Sequence, residues 1–126
     1  MSELNLRKEA GRHTLFLDCR KIGADYLTTI YGGNQHHIGG IAVAYQTQSH
    51  YHETSTTSVN TLALPGHKDY IVANSAAERI TESLRAPVIV TAGIHYDNAT
   101  KAEINQIIHV VDNLVEEMIR HYQKAE

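Results

Sequence analysis

The chain has 126 residues, 42% of them hydrophobic and 20% charged, with a formal net charge of -3. That length suits one domain burying roughly two-thirds of its unfolded surface, and we expect a single unit over residues 1–126 with its core at about 11–122. Lysines and arginines are scattered singly, which gives no footprint for nucleic acid, and no apolar run approaches the ~20 residues that span a bilayer.

The first eight residues lack the apolar run of a secretory signal, so a cytoplasmic protein is expected. From Arg12 to Arg20, Leu15, Leu17 and Cys19 alternate with Thr14, Phe16 and Asp18, the period of a strand with one buried face. The single cysteine, Cys19, reads as a small buried apolar side chain. After a turn at 21–25, a second strand runs from Tyr26 to Tyr31 and stops at Gly32-Gly33. A third spans Gly40 to Gln46. Residues 47–56 are polar and suit a hairpin tip, which carries His50, His52 and Glu53.

A fourth strand, Thr57 to Leu64, ends at Pro65, and Gly66 lets the chain bend into a helix from about Lys68 to Leu84. Ala73, Ala76, Ala77, Ile80 and Leu84 share one face of that helix. Pro87 to Ala92 is nearly all apolar, as a central strand covered on both faces requires. Thr100-Lys101-Ala102-Glu103 has the capping-box pattern and opens a helix to about Tyr122. The apolar stripe of that helix, from Ile104 to Ile119, is wider than one sheet demands; the surplus reads either as a subunit interface or as a broad contact within the chain. The fold class expected is α/β of the α+β type: a four-stranded antiparallel meander, then helix, strand and helix, with the helices packed on one mixed sheet.

In a meander, strands two and four run the same way, and strand five follows strand four through a helical crossover. Three loops therefore leave one sheet edge: Gly32 to Gly40, Pro65 to Lys68, and Gly93 to Thr100. They carry His36, His37, Gly66, His67, Lys68, His95 and Asp97. Two helix amino termini and Lys68 make this edge attractive to a phosphate or carboxylate, and the histidines can bind metal, donate hydrogen bonds or titrate near neutral pH. Each group also has a bland reading: a solvated helix start for His67-Lys68, and a backbone hydrogen bond for His95. His13, His109 and His121 read as structural. No nucleophile-elbow serine appears, and the loops offer one carboxylate where paired acid/base chemistry needs two, which favours a binding protein over an enzyme.

The segments Tyr31-Gly32-Gly33 to Ile38-Gly39-Gly40, Leu64-Pro65-Gly66-His67-Lys68 and Val90-Thr91-Ala92-Gly93-Ile94-His95 occur in an order and spacing that resembles the LpdD-like proteins, small D subunits associated with gallate decarboxylase. The resemblance runs from about Gly11 to Met118. It implies a fold similar to proteasome-assembly chaperones and a non-catalytic carrier of reduced prenylated FMN, delivering it to a UbiD-type decarboxylase of aromatic acids, with a flavin prenyltransferase as a further partner. The family pattern falls on His37, His67, Lys68, His95 and Asp97, to which the loop geometry adds Gly66 as a cofactor-binding residue. A homodimer would create a cleft for the apolar ring system. His37, His67 and His95 are the candidate ligands should a divalent metal mediate the phosphate contact.

Two other readings remain open at this point. One is a small metal-dependent enzyme, with the same three histidines as ligands and Asp97 as base. The other is a structural assembly subunit of a decarboxylase, in which the histidines are incidental.

Overall fold

The computed structural model describes residues 3–48, 55–66 and 68–125. In chain order they form β1 (Glu3–Ala10), β2 (His13–Ile22), β3 (Asp25–Gly33), β4 (Gly40–Gln48), β5 (Ser55–Ala63), α1 (Tyr70–Leu84), β6 (Val88–His95) and α2 (Lys101–Lys124). The strands make one mixed sheet in the order β1-β2-β3-β6-β4-β5. The α+β class is as expected.

The strand order departs from a simple meander in two places. β1 is an additional edge strand paired antiparallel with β2; its inward face carries Leu4 and Leu6, both partly exposed, and the buried Ala10. More consequentially, β6 lies between β3 and β4, parallel to β3 and antiparallel to β4. Its Val88-Ile89-Val90 run is the most apolar strand segment of the sheet; Val88 and Val90 are buried beneath the helices, whereas Ile89 is 40% exposed on the other side, so the strand expected to be covered on both faces is covered on one among the described residues.

Strand directions survive this change. A chain reverses at each short connection whichever strand lies between, so β3 and β5 still run the same way, and the pairing of β3 with β6 adds β6 to that set. The exits of β3, β5 and β6 share one edge.

To reach β4, the loop after β3 must pass over the end of β6. It is stitched down on both sides: the Asn34 amide donates to the His95 carbonyl at 2.7 Å and the Gly39 amide to the Ala92 carbonyl at 2.8 Å. Gly93 lies directly beneath, where a Cβ would run into the carbonyl of His37. A side chain at 93 would push the loop off the sheet.

Both helices pack on one face of the sheet. α1 buries Ala73, Ala76, Ala77 and Ile80 against β4, β5 and β6, its small residues allowing close approach. α2 covers β1 and β2 and packs beside α1, burying Ile107, Val110, Val111, Leu114, Val115, Met118, Ile119 and Tyr122. The wide stripe of α2 is therefore consumed largely within the chain, and only Ile104 and Ile108 keep about half their surface, 47% and 49%. Cys19 is buried, and burial pushes its thiol up from the usual value, in keeping with a packing role.

Candidate functional site

The site is organised by a residue that sequence reading passed over. Asp69 precedes α1, where an aspartate ordinarily caps the first turn, yet its side chain makes no cap hydrogen bond. It turns inward instead. One carboxylate oxygen accepts the Ile94 amide at 3.0 Å and the other meets His37 Nε2 at 3.1 Å, and the residue is only 9% exposed. One side chain thus ties together the start of α1, the end of β6 and the loop after β3. His37 Nδ1 lies 3.3 Å from the Gln35 carbonyl, so both ring nitrogens face oxygens of the chain.

A second pair sits beside the first. His95 Nε2 meets Asp97 Oδ1 at 3.0 Å, the Asp97 amide donates to Asn34 Oδ1 at 2.7 Å, and the His37 and His95 rings are 6.5 Å apart. The two histidines are therefore neighbours, each already facing a carboxylate.

The two helix starts at this edge are not equivalent. At α2, the Glu103 amide donates to Thr100 Oγ1 at 3.1 Å and the Thr100 amide to Glu103 Oε1 at 3.0 Å, a complete capping box. Arg12 Nε donates to Glu103 Oε2 at 2.7 Å. That bond, followed by the one from the Thr100 backbone, holds the Glu103 carboxyl below the usual carboxylate range. The positive end of α2 thus has its counter-charge built in. α1 has no acidic residue in its first turn and no side-chain cap, so its positive end is directed, with Lys68, toward the surroundings. The sequence argument offered two helix starts to an anion; the start of α2 already has a carboxylate of its own paired to it.

Between the helix starts lies a cleft of about 380 Å³. Gly66, Lys68, Asp69 and His95 give it polar groups and Ile71, Ile104, Ile107 and Ile108 apolar walls, above a floor of Ile94 and Tyr96. Burial raises the Tyr96 hydroxyl above its ordinary pKa, and that hydroxyl donates to the Ala10 carbonyl at 2.6 Å. The floor is accordingly neutral and fixed. Cofactor-sized ligands occupy clefts of this size when apolar walls hold a body and a few polar groups orient a head.

A model of the prenylated flavin chaperone LpdD-like domain matches residues 9–123. The chain belongs to this family. It is 31% identical to Protein LpdD of Lactiplantibacillus plantarum over 107 residues, covering 81% of this chain and 72% of that protein. Its fold is similar to that of a chain in the crystal structure of a novel chaperone complex for yeast 20S proteasome assembly, with a TM-score of 0.61 and 13% identity over 93% of this chain and 94% of the other. At that identity the likeness concerns architecture alone. Membership of an LpdD-like chaperone family supports a chaperone role without catalysis.

Of the residues singled out from the LpdD-like pattern, Gly66, Lys68 and His95 line the cleft, His37 sits behind Asp69, and Asp97 holds His95 from the outer side. His67 lies outside the described residues, as do His50, His52 and Glu53. Among the described residues no group of three histidine, cysteine or carboxylate side chains has metal-holding geometry. His95 Nε2 faces Asp97, and both ring nitrogens of His37 face oxygens of the chain. Residues missing from the sequence reading are Asp69, Asn34, Arg12 and the apolar cleft wall. A helix-start aspartate and scattered isoleucines carry no local signal of a ligand.

Proposed function

We propose that this LpdD-like chain is a carrier that binds reduced prenylated FMN in the cleft between the starts of α1 and α2 and delivers it to a UbiD-type decarboxylase of aromatic acids, without catalysing a reaction itself. The observation that carries the reading is the cleft's lining. Lys68 and the α1 amino terminus share its lining with Ile71, Ile94, Ile104, Ile107 and Ile108, a mixture that suits a ligand with an anionic phosphate and a large apolar ring system. Lys68 and His95 would meet the phosphate, with Gly66 and His67 on the loop beside it. His37 and Asp97 act through Asp69 and His95, holding these polar groups in place. The prenylated rings would lie against Ile71, Ile104 and Ile108. A flavin prenyltransferase is the source of the cofactor, and the exchange takes place in the cytoplasm.

Anaerobic titration of the protein with reduced prenylated FMN, followed by its absorbance, tests the reading directly. Saturable binding is expected, as is faster activation of the decarboxylase subunit when the loaded chain is added. Comparison of FMN with riboflavin isolates the phosphate: FMN should bind at least tenfold tighter, the equivalent of ~1.4 kcal/mol for one charge-assisted contact. Equal affinity for the two would remove the anion site from the proposal.

A further inference from the structure

The two edges of the sheet are built differently. β1 carries Glu3, Arg7, Lys8 and Glu9, and charges of this kind keep an edge strand from pairing with another chain. β5, at the opposite edge, has nine residues without a charge or a proline, and none of them is buried. The phase of its ladder with β4 fixes which backbone groups it leaves unused. The Leu64 amide donates to the Gly39 carbonyl at 3.0 Å, and the register sets these two residues opposite each other. Hydrogen-bonded pairs alternate in an antiparallel ladder. Thr56, Ser58, Asn60 and Leu62 therefore turn their N–H and C=O groups to β4, while Ser55, Thr57, Val59, Thr61 and Ala63 turn theirs outward. Among the described residues no strand lies beyond β5 to receive them.

α1 fastens this edge and gives it a charged flank. Thr57 Oγ1 donates to Glu82 Oε2 at 3.0 Å, Thr61 Oγ1 to Asn74 Oδ1 at 2.8 Å, and the Arg85 guanidinium to Ser55 Oγ at 3.1 Å. Asn74, Glu78 and Glu82 follow one another at four-residue spacing, so the exposed Glu78 stands in the same row. We infer that the β5 edge is a docking site for an extended, basic segment of a partner protein, which pairs with β5 as an added strand. The outward backbone groups supply the attachment, and side chains choose the segment. Side chains of an added strand alternate between the two faces of the sheet. Those on the helix side come beside Glu78 and Glu82, whose charge selects lysine or arginine. Those on the other side come beside Leu62, which is 59% exposed, and are best apolar. β5 leads directly to Gly66 and Lys68, so a docked segment reaches the side of the cleft.

Amide hydrogen exchange of the full chain, followed by NMR without flavin, tests this. In the free protein the Thr57, Val59 and Thr61 amides should exchange at least about tenfold faster than those of Ser58 and Asn60. A capped eight-residue peptide of alternating valine and lysine should slow the first set saturably, with half-saturation below about 1 mM. Of two peptides methylated either on the lysine amides or on the valine amides, one should bind at least about tenfold more weakly and the other nearly as well, because the two sets of amides face opposite ways. Val59→Pro removes an outward amide and spares the ladder to β4, so circular dichroism should show the wild-type fold while the peptide is lost. Glu78→Lys should weaken the lysine peptide about fivefold. No slowing at millimolar peptide, or equal binding of the two methylated forms, would overturn the inference. So would outward amides that are already slow in the free chain. Slow exchange at every concentration would mean an edge covered within the chain, and slow exchange only at high concentration would give the edge to a second copy. No flavin takes part, so failure of the cofactor proposal leaves this result standing.

Discussion

α1 and α2 begin at the same sheet edge, a few residues after the ends of β5 and β6, and each is preceded by a residue suited to capping. Thr100 caps its own helix and recruits Glu103, which Arg12 then neutralises. Asp69 leaves its helix uncapped and bonds inward to Ile94 and His37. The difference separates a helix start satisfied within the chain from one whose capping residue is turned inward. At α2 the Thr100 and Glu103 amides and the Arg12 guanidinium have their acceptors within the chain; at α1 the acceptor has been moved into the framework, and Lys68 adds a further positive charge beside the cleft.

Breaking the inward link should have the largest effect. Asp69→Ala takes the acceptor from the Ile94 amide and from His37 Nε2 in a buried setting, and a loss of about 3 kcal/mol in unfolding free energy is expected. Urea denaturation measures it. Asp69→Asn keeps the shape and one acceptor and should cost less. If Asp69→Ala unfolds with the wild-type midpoint, the carboxylate is a conventional, dispensable cap and the contrast between the helices disappears.

This link also marks the limit of what the sequence could disclose. The Leu15, Leu17, Cys19 alternation, the alanine face of α1 and the Thr100 to Glu103 box are local patterns, and each appears in the structure where it was expected. The shared edge was legible because directions follow from counting reversals. Pairing was not. The insertion of β6 between β3 and β4 depends on contacts 44 to 62 residues apart and on a loop crossing above Gly93, and no short window of sequence contains both. β1 escaped notice because two leucines are a weak alternation. Asp69 stayed hidden because its identity and position fit a cap, and only its side-chain direction reveals another role.

The ligand side of the comparison is sharpened by Lys68→Ala. Removing this charge from the cleft should weaken FMN about tenfold, or ~1.4 kcal/mol, and leave riboflavin almost unchanged. Isothermal titration of both ligands separates loss of the anion contact from general damage. Thr100→Ala is the counterpart at α2: about 1 kcal/mol of stability should be lost with the cap, and FMN affinity should not move. An equal drop in affinity from Thr100→Ala would mean that both helix starts contribute to binding.

The smallest effect concerns pH and again distinguishes the two starts. Arg12 and the Thr100 backbone depress the Glu103 carboxyl below its ordinary value of 4.5. A depressed carboxyl binds its proton more readily in the unfolded chain, so its contribution to stability is fully present above that ordinary value and is lost as pH falls through the lower, folded one. Glu103 is partly exposed, and water and salt weaken the pair, so a slope gentler than the effect of Thr100→Ala is expected. The check is the thermal midpoint of the wild type and of Glu103→Gln, followed from neutral pH down through the carboxylate range. The two curves should converge on the acid side, because protonation does to Glu103 what the glutamine has already done. Convergence with unchanged FMN affinity in Glu103→Gln would place this charge wholly within the framework of α2, whereas a variant that binds FMN more tightly would show that Glu103 repels the ligand's phosphate across the cleft.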